Sequence, residues 1–337
     1  MKHAVHSFSP PKNAPGETPR PGATDFIDPK TLMRIESLEL RAKIVVHGFL
    51  SGLHRSPHHG FSVEFSEYRQ YTPGDDPRHL DWRLFARSDR YYIKRFQEET
   101  NLRCHLLVDL SKSMGFGTLS YTKVDYARTL AATLAYFLSL QRDAVGLVTF
   151  DQEIADFAPA RYRPGHMHRL MVCLERAVSG TATDITKPLE QIAATVRKRG
   201  MVVLISDLLT PIDTLKKHLG YLRSQGHEVA LLRVLDPAEL DFTFDTPANF
   251  IDLESSKQLY IDPQNARAQY KQRFTAHAND LQKLCQSHGI DLYQLSTANP
   301  LELALFDILQ SRLHAGRQVL RAANRNAPSS SPAAGGR

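Results

Sequence analysis

The chain has 337 residues, of which 42% are hydrophobic and 9% aromatic, enough to bury the core of one large domain or two ordinary ones. Its formal net charge of +6 is spread along the sequence, which argues against a nucleic-acid-binding protein. Three distant cysteines argue against a disulfide framework, and no apolar run approaches the ~20 residues of a membrane helix, so we expect a cytoplasmic protein without a membrane span.

The ends of the chain and its first third are poor in core-forming sequence. Residues 1–25 are rich in proline and residues 322–337 in small polar residues, and both tails are predicted to be disordered. Residues 26–99 should begin with one amphipathic helix, because Leu32, Ile35, Leu38 and Leu40 stand near helical spacing. The remainder, dense in turn formers, charges and aromatics, is predicted to be an irregular segment that wraps on the following domain.

From residue 100 to about 315 the pattern becomes strand, helix, strand. The buried-strand runs are "HLLVDL", "AVGLVTFD", "MVVLISDLL" and "EVALLRVLD", and strong helix formers separate them. "IADFAPA" is predicted to be an edge strand because of its proline, and "NFIDLESSKQLYID" a hairpin. This order predicts a Rossmann-like α/β domain with a mostly parallel central sheet and helices on both faces.

Polar side chains follow the predicted strands at the sheet edge where such folds bind ligands. Asp109 ends the first strand and Asp207 follows the third, while Ser111 and Ser113 alternate with Asp109. Thr183 lies in the loop "SGTATDITKP" between those strands. Two carboxylates and three hydroxyls form a shell that suits a hard cation such as Mg²⁺. The two carboxylates only balance the charge of the ion and the hydroxyls are weak donors, so the ion would still accept an anionic ligand.

Other interpretations of "DLSKS" fit the residues less well. Lys112 is not preceded by the glycines of a phosphate-binding loop, and neither serine has the flanking glycines of a hydrolase nucleophile. An aspartyl-phosphate nucleophile usually has a second carboxylate where this chain has Ser111. A purely structural alternative stays open, in which Ser111 and Ser113 cap the following turn and helix.

These residues resemble the metal-ion-dependent adhesion site, MIDAS, of von Willebrand factor type A domains. The resemblance rests on "DLSKS", the "ATD" loop and "SD" after an apolar strand. It implies that Asp109, Ser111, Ser113, Thr183 and Asp207 are metal ligands, with an open position for a partner's carboxylate. The family's usual loop is glycine-glycine-threonine, whereas Ala182 precedes Thr183 here, which leaves Thr181 as a rival ligand.

A second resemblance covers residues from about 44 to 313. "YTPGDDPRHLDWRLFAR", with the sequence around it, resembles the signature of the bacterial family called domain of unknown function 58, where it stands directly upstream of a type A domain. The resemblance implies a partnership with MoxR-type AAA+ ATPases, which are thought to act as chaperones or assembly motors. Some members carry two N-terminal membrane helices, which this sequence lacks.

The signature itself combines turns, charges of both signs and large aromatic faces. It could dock the ATPase or its client, or it could pack against the type A domain, with bidentate ion pairs holding an irregular backbone. Its interspersed aspartates disfavour single-stranded nucleic acid as a ligand. The candidate docking residues are Arg69, Tyr71, Asp75, Asp76, Arg78, Asp81, Trp82 and Arg83.

Together these features predict a non-enzymatic interaction module that depends on Mg²⁺, with Mn²⁺ or Ca²⁺ as alternatives. The expected partner is a MoxR-type AAA+ ATPase, its protein client, or both, bound through an acidic side chain. The alternative function is a metal-assisted hydrolase that uses the same site. It needs a general base, for which Asp184 is the obvious candidate.

Overall fold

The structure, a computed structural model, describes residues 6–7, 26–55, 68–70, 91–94, 102–176, 186–196, 198–251, 258–306 and 308. Its helices are α1 (Pro29–Met33), α2 (Leu38–Arg55), α3 (Lys123–Leu140), α4 (His166–Leu174), α5 (Thr186–Thr195), α6 (Ile212–Ser224), α7 (Pro237–Asp241), α8 (Pro263–His288) and α9 (residues 301–306). Its strands are β1 (His6–Ser7), β2 (Tyr68–Gln70), β3 (Tyr92–Lys94), β4 (Arg103–Asp109), β5 (Ala144–Phe150), β6 (Ile154–Arg161), β7 (Met201–Ser206), β8 (Glu228–Leu235), β9 (Ala248–Ile251), β10 (Gln258–Ile261) and β11 (Asp291–Ser296).

The central sheet has the order β1-β11-β8-β7-β4-β5-β6. Its neighbouring strands pair in parallel, except that β6 runs antiparallel to β5 at one edge. The predicted mostly parallel sheet and the edge strand "IADFAPA" are therefore confirmed. Chain order changes direction at β4, which has β5 on one side and β7 on the other, and this is the position where an open α/β sheet binds its ligands.

Both faces of the sheet are covered, which is why its central strands β4, β5, β7 and β8 are almost entirely buried and apolar. Successive side chains of a strand point to opposite faces, so Leu106 and Val108 of β4 pack in one cluster and Leu107 in the other. The first cluster includes residues of α2, α3 and α4, and the second includes residues of α5, α6 and α8. The prediction of helices on both faces is confirmed.

The N-terminal helix is two helices, and the prediction of a single one was wrong. The Asp28 side chain accepts a hydrogen bond from the Thr31 amide at 3.1 Å and starts α1. The Ser37 hydroxyl accepts one from the Leu40 amide at 3.3 Å and starts α2 afresh. Two capping side chains nine residues apart break the helical repeat, and Leu40 is consequently 48% exposed.

The C-terminal part of the domain follows the predicted pattern. Strands β9 and β10 form the expected antiparallel hairpin, whose turn lies outside the described residues. Helix α8 ends at Gly289, which has a left-handed φ of 64° and closes the helix with its amide.

The predicted domain bounds stay predictions, because most of residues 1–25, 56–101 and 309–337 lie outside the described part of the chain. Within the first tail, His6 and Ser7 pair in parallel with Tyr293 and Gln294 of β11.

Candidate metal site

Asp109 is the last residue of β4, and its carboxylate is completely buried. Its Oδ1 accepts a hydrogen bond from the Ser111 amide at 2.9 Å, and its Oδ2 accepts one from the Ser206 hydroxyl at 2.6 Å. Ser206 is the last residue of β7, and the register that sets Val108 opposite Ile205 brings these two strand ends side by side. The sheet thus fixes both oxygens of the Asp109 carboxylate.

The two serines of "DLSKS" lie at the start of a short 3-10 turn, Lys112–Gly115. Ser111 is fully buried, and its Oγ lies 3.1 Å from the Oγ of Ser113, so both hydroxyls occupy one small region beside Asp109. The Ser111 side chain does not cap the turn, and α3 is capped by Thr122. Capping, the structural alternative for these serines, is therefore not their role.

Asp207 follows β7 and is held by groups on three sides. Its Oδ2 accepts a hydrogen bond from Lys123 Nζ at 2.9 Å, and its Oδ1 accepts one from the Leu209 amide at 3.3 Å. The backbone carbonyl of Asp207 accepts a hydrogen bond from Arg233 Nε at 3.1 Å. Leu208 has a left-handed φ of 53°, so the chain turns sharply as soon as the strand ends.

The buried charge of Lys123 was not among the predicted features of the site. Lys123 is the first residue of α3 and is fully buried, with its Nζ 2.9 Å from Asp207 and 2.6 Å from Glu239 Oε1. Burial lowers the pKa of Lys123, but the charges of Asp207 and Glu239 outweigh it and raise the pKa above its ordinary value. The only local signal was a cation at a helix N-terminus, where the helix dipole disfavours one.

A third carboxylate, Asp236, directly follows β8 at the same edge of the sheet. It caps α7 in a capping box with Glu239, and its Oδ1 and Oδ2 accept hydrogen bonds from the Thr118 hydroxyl and amide at 2.6 and 2.9 Å. Asp236 thereby ties the loop after β4 to the end of β8. Asp236 was not among the predicted site residues, although the spacing of "DPAE" is that of a capping box.

The electrostatics of the site centre on the two aspartates. The pKa of Asp109 is raised to about 6, first by burial and second by the charge of Asp207, while hydrogen bonds from Ser206 and Ser111 lower it. The described residues offer the Asp109 carboxylate neutral donors and no cation within ion-pair distance. An Asp109 carboxylate that is both buried and unneutralised favours a positive ion at this position.

The donor set suits a hard divalent cation. Asp109, Asp207, Ser111 and Ser113 present carboxylate and hydroxyl oxygens at one strand edge. In the described part of the chain, no group of three or more His, Cys, Asp or Glu side chains is placed to share a metal. A cation here would therefore depend on the serine hydroxyls and on water as well as on the two carboxylates.

The remaining predicted site residues are only partly covered. Thr183, its rival Thr181 and the candidate base Asp184 lie outside the described residues, so their roles stay predictions. Arg69 belongs to β2, which pairs antiparallel with β3. The other predicted docking residues also lie outside the described ranges, namely Tyr71, Asp75, Asp76, Arg78, Asp81, Trp82 and Arg83.

The fold is a mostly parallel α/β sheet with an antiparallel edge strand and with acidic residues where the strands of its switch point end, in agreement with the α/β architecture that the sequence predicted. The chain belongs to the family described as "Protein of unknown function DUF58", whose model matches residues 67–280. The resemblance of the sequence to the domain of unknown function 58 family is thereby confirmed.

Sequence relatives of the chain include mycobacterial proteins. Uncharacterized protein Rv1480 of Mycobacterium tuberculosis is 30% identical over 278 residues, which cover 81% of this chain and 87% of the relative. Uncharacterized protein MAV169 of Mycobacterium avium is 28% identical over 155 residues, 44% of this chain and 90% of that protein.

Solved structures similar to this chain include BatB, a conserved hypothetical protein from Bacteroides thetaiotaomicron, with a TM-score of 0.39 at 14% identity, covering 62% of this chain and 98% of BatB. The SpRpn10 VWA domain has a TM-score of 0.35 at 14% identity, covering 60% of this chain and 92% of that domain.

None of the helices in the described part of the chain is both long enough and apolar enough to cross a bilayer.

Proposed function

We propose that this protein is a metal-dependent interaction module that binds an acidic side chain of a protein partner, and that it serves as an accessory of a MoxR-type AAA+ ATPase in chaperone-like assembly or remodelling. The type A-like fold supports a protein-interaction module in general. The metal dependence and the nature of the partner are the specific content of the proposal.

One observation carries the metal dependence. The Asp109 carboxylate is fully buried, and the described residues around it supply neutral hydrogen-bond donors instead of a cation. Isolating a carboxylate in this way is costly unless a positive charge balances it. The hydroxyls of Ser111 and Ser113, 3.1 Å apart, stand beside it as further oxygen donors.

The residues that would hold the metal are Asp109, Ser111, Ser113 and Asp207, together with Thr183, which lies outside the described residues and stays a predicted ligand. Mg²⁺ is the expected ion, and Mn²⁺ or Ca²⁺ would suit the same oxygens. Such an ion, when bound, supplies a Lewis-acidic position for one more oxygen ligand. Because Lys123 already neutralises part of the charge on Asp207, the site would keep a preference for an anionic ligand, and a partner's Asp or Glu meets that requirement.

The partnership with an ATPase rests on membership of this family and on the resemblance of the signature at residues 71–87. The formal charge of +6 also favours an acidic partner surface. The candidate docking side chains of the signature would provide a second contact, independent of the metal.

A pull-down with the tagged full-length chain and the MoxR-type ATPase of the same organism tests both parts. We expect the ATPase to be retained in Mg²⁺, released by a chelator, and lost with Asp109→Ala. Asp151→Ala is a matched control, because Asp151 follows the neighbouring strand β5 but its side chain accepts only a turn hydrogen bond from the Glu153 amide among the described contacts.

Two results would contradict the proposal in different ways. Retention of the ATPase after chelation and with Asp109→Ala would exclude the metal as the means of binding. Mg²⁺ binding by calorimetry that is lost in Asp109→Ala, together with no capture of the ATPase, would keep the metal site but refute the proposed partner.

A further inference from the structure

Lys123 occupies an unusual position for a cation. Its side chain is 1% exposed, and its ammonium lies between a predicted metal ligand, Asp207 at 2.9 Å, and a carboxylate outside that set, Glu239 at 2.6 Å. The three groups come from three separate elements, the start of α3, the end of β7 and the first turn of α7.

Each end of this arrangement is anchored independently of the metal ligands. The start of α3 is fixed by a capping box between Thr122 and Asp125. Glu239 is fixed because its Oε2 accepts a hydrogen bond from the Asp236 amide at 2.8 Å, and its backbone carbonyl accepts one from the Tyr270 hydroxyl at 2.8 Å. Lys123 is thus held at Asp207 by the framework of the domain.

We infer that Lys123 is an internal counter-cation of the metal site. By binding one oxygen of Asp207, its ammonium stabilises the site when no metal is bound and weakens the affinity of the site for the metal. This inference rests on the proposed function, because it assumes that Asp207 is a metal ligand. The Oδ2 atom of Asp207 accepts a hydrogen bond from the Lys123 ammonium, so a divalent ion must share this carboxylate with Lys123.

The inference distinguishes Lys123 from an ordinary buried ion pair. An ion pair that serves only the fold affects stability equally with and without metal. A counter-cation at a metal ligand affects the metal-free and the metal-bound protein in opposite directions. Its removal destabilises the metal-free protein, because the carboxylates then repel one another, and it strengthens metal binding, because the metal no longer shares its ligand with a cation.

The test compares metal affinity and stability in the full-length chain and three variants. The first variant is Lys123→Met, which keeps the length of the side chain and removes its charge. The second, Lys123→Met with Glu239→Gln, removes both charges, so the net charge around Asp207 equals that of the original protein. A surface pair in α2, Lys43 and Glu39 at 2.7 Å, gives the matched control, Lys43→Met with Glu39→Gln.

Mn²⁺ affinity is measured by electron paramagnetic resonance, and thermal unfolding is followed in chelator and in Mg²⁺. We expect Lys123→Met to bind Mn²⁺ at least about tenfold more tightly and to unfold at a lower temperature in chelator, with most of that loss recovered in Mg²⁺. The charge-matched double variant should stay folded in chelator and still bind Mn²⁺ roughly threefold or more tightly, because Asp207 is released. The surface double variant should match the unmodified chain.

The outcomes distinguish a failure of the inferred role of Lys123 from a failure of the proposed metal site. If the unmodified chain binds Mn²⁺ and the charge-matched variant binds it no more tightly, Lys123 is a structural ion pair and the inference is wrong, whatever the folding of Lys123→Met. If neither the unmodified chain nor any variant binds Mn²⁺, the proposed metal site is wrong and the inference is refuted with it.

Discussion

Replacing Asp109 with asparagine should make the metal-free protein more stable while it abolishes metal binding. The substitution keeps the shape of the side chain and one oxygen. That oxygen still accepts the hydrogen bond from the Ser111 amide, and the new amide group faces the Ser206 hydroxyl. What is lost is a negative charge in a fully buried position.

The size of the effect follows from the pKa of Asp109. A rise from 3.8 to about 6 on folding means that the buried carboxylate opposes folding at neutral pH by about 3 kcal/mol. Between about pH 4 and pH 6 the Asp109 carboxyl is still protonated in the folded protein but already ionised in the unfolded chain. The free-energy cost of the buried carboxylate is therefore absent below about pH 4, grows up to about pH 6 and is constant above it. Allowing for a poorer hydrogen bond to Ser206, we expect a gain of about 2–3 kcal/mol at neutral pH.

Chemical and thermal unfolding in chelator and in Mg²⁺ measure this gain. In chelator, Asp109→Asn should raise the midpoint temperature by roughly 5–10 °C at neutral pH and by almost nothing near pH 4. In Mg²⁺ the unmodified protein should become about as stable as the variant. An ion present at a hundred times its Kd adds about 2.7 kcal/mol to the free energy of unfolding, and the variant, which does not bind the ion, does not gain it. Asp151→Asn is the control and should behave as the unmodified chain in both conditions.

The reasoning fails if Asp109→Asn is less stable than the unmodified protein in chelator at neutral pH. That result would mean that the carboxylate is compensated by contacts other than those described. An equal stabilisation of both proteins by Mg²⁺ would instead show that Asp109 is not a ligand.

Three further predictions concern the same edge of the sheet. The affinity for Mg²⁺ should fall about tenfold for each pH unit below about 6, because Asp109 must lose its proton to bind the ion, and calorimetry across a pH series should show this slope instead of a flat profile. Asp236→Ala removes a helix cap and two hydrogen bonds to the loop after β4, and should lower the free energy of unfolding in urea by about 2–3 kcal/mol, whereas Asp236→Asn should lose less. Gly117→Ala would place a methyl group 2.5 Å from the Tyr121 carbonyl oxygen and should cost about 2 kcal/mol or more, while Gly115→Ala, with no atom within 4 Å of the added group, should cost much less in the same urea titration.

The elements that the sequence predicted best are those in which local pattern and tertiary position agree. The apolar runs of β4, β5, β7 and β8 are too uniform to be half-exposed strands, and they lie in the centre of the sheet as expected. Two of the predicted site residues, Asp109 and Asp207, are neighbours because parallel strands end at the same edge.

The features that escaped prediction depend on distant contacts or on competition between local signals. Lys123 meets Asp207 and Glu239 across 84 and 116 residues, and nothing in the sequence around Lys123 indicates either partner. The break between α1 and α2 had a local cause in Ser37, but the apolar spacing across it suggested one continuous helix. Helical periodicity alone does not locate a cap in the middle of a repeat.

The pairing of β4 with β5 and β7 has a consequence for how quickly a ligand can be bound. Val108 lies opposite Thr149 on one side and Ile205 on the other, and a slip of one residue would exchange the two buried faces of β4. The position of Asp109 is therefore decided when the core forms, and so is that of Ser206 beside it. A cation that binds as proposed would meet a carboxylate whose rotational freedom has already been lost during folding, so its association need not wait for Asp109 to become ordered.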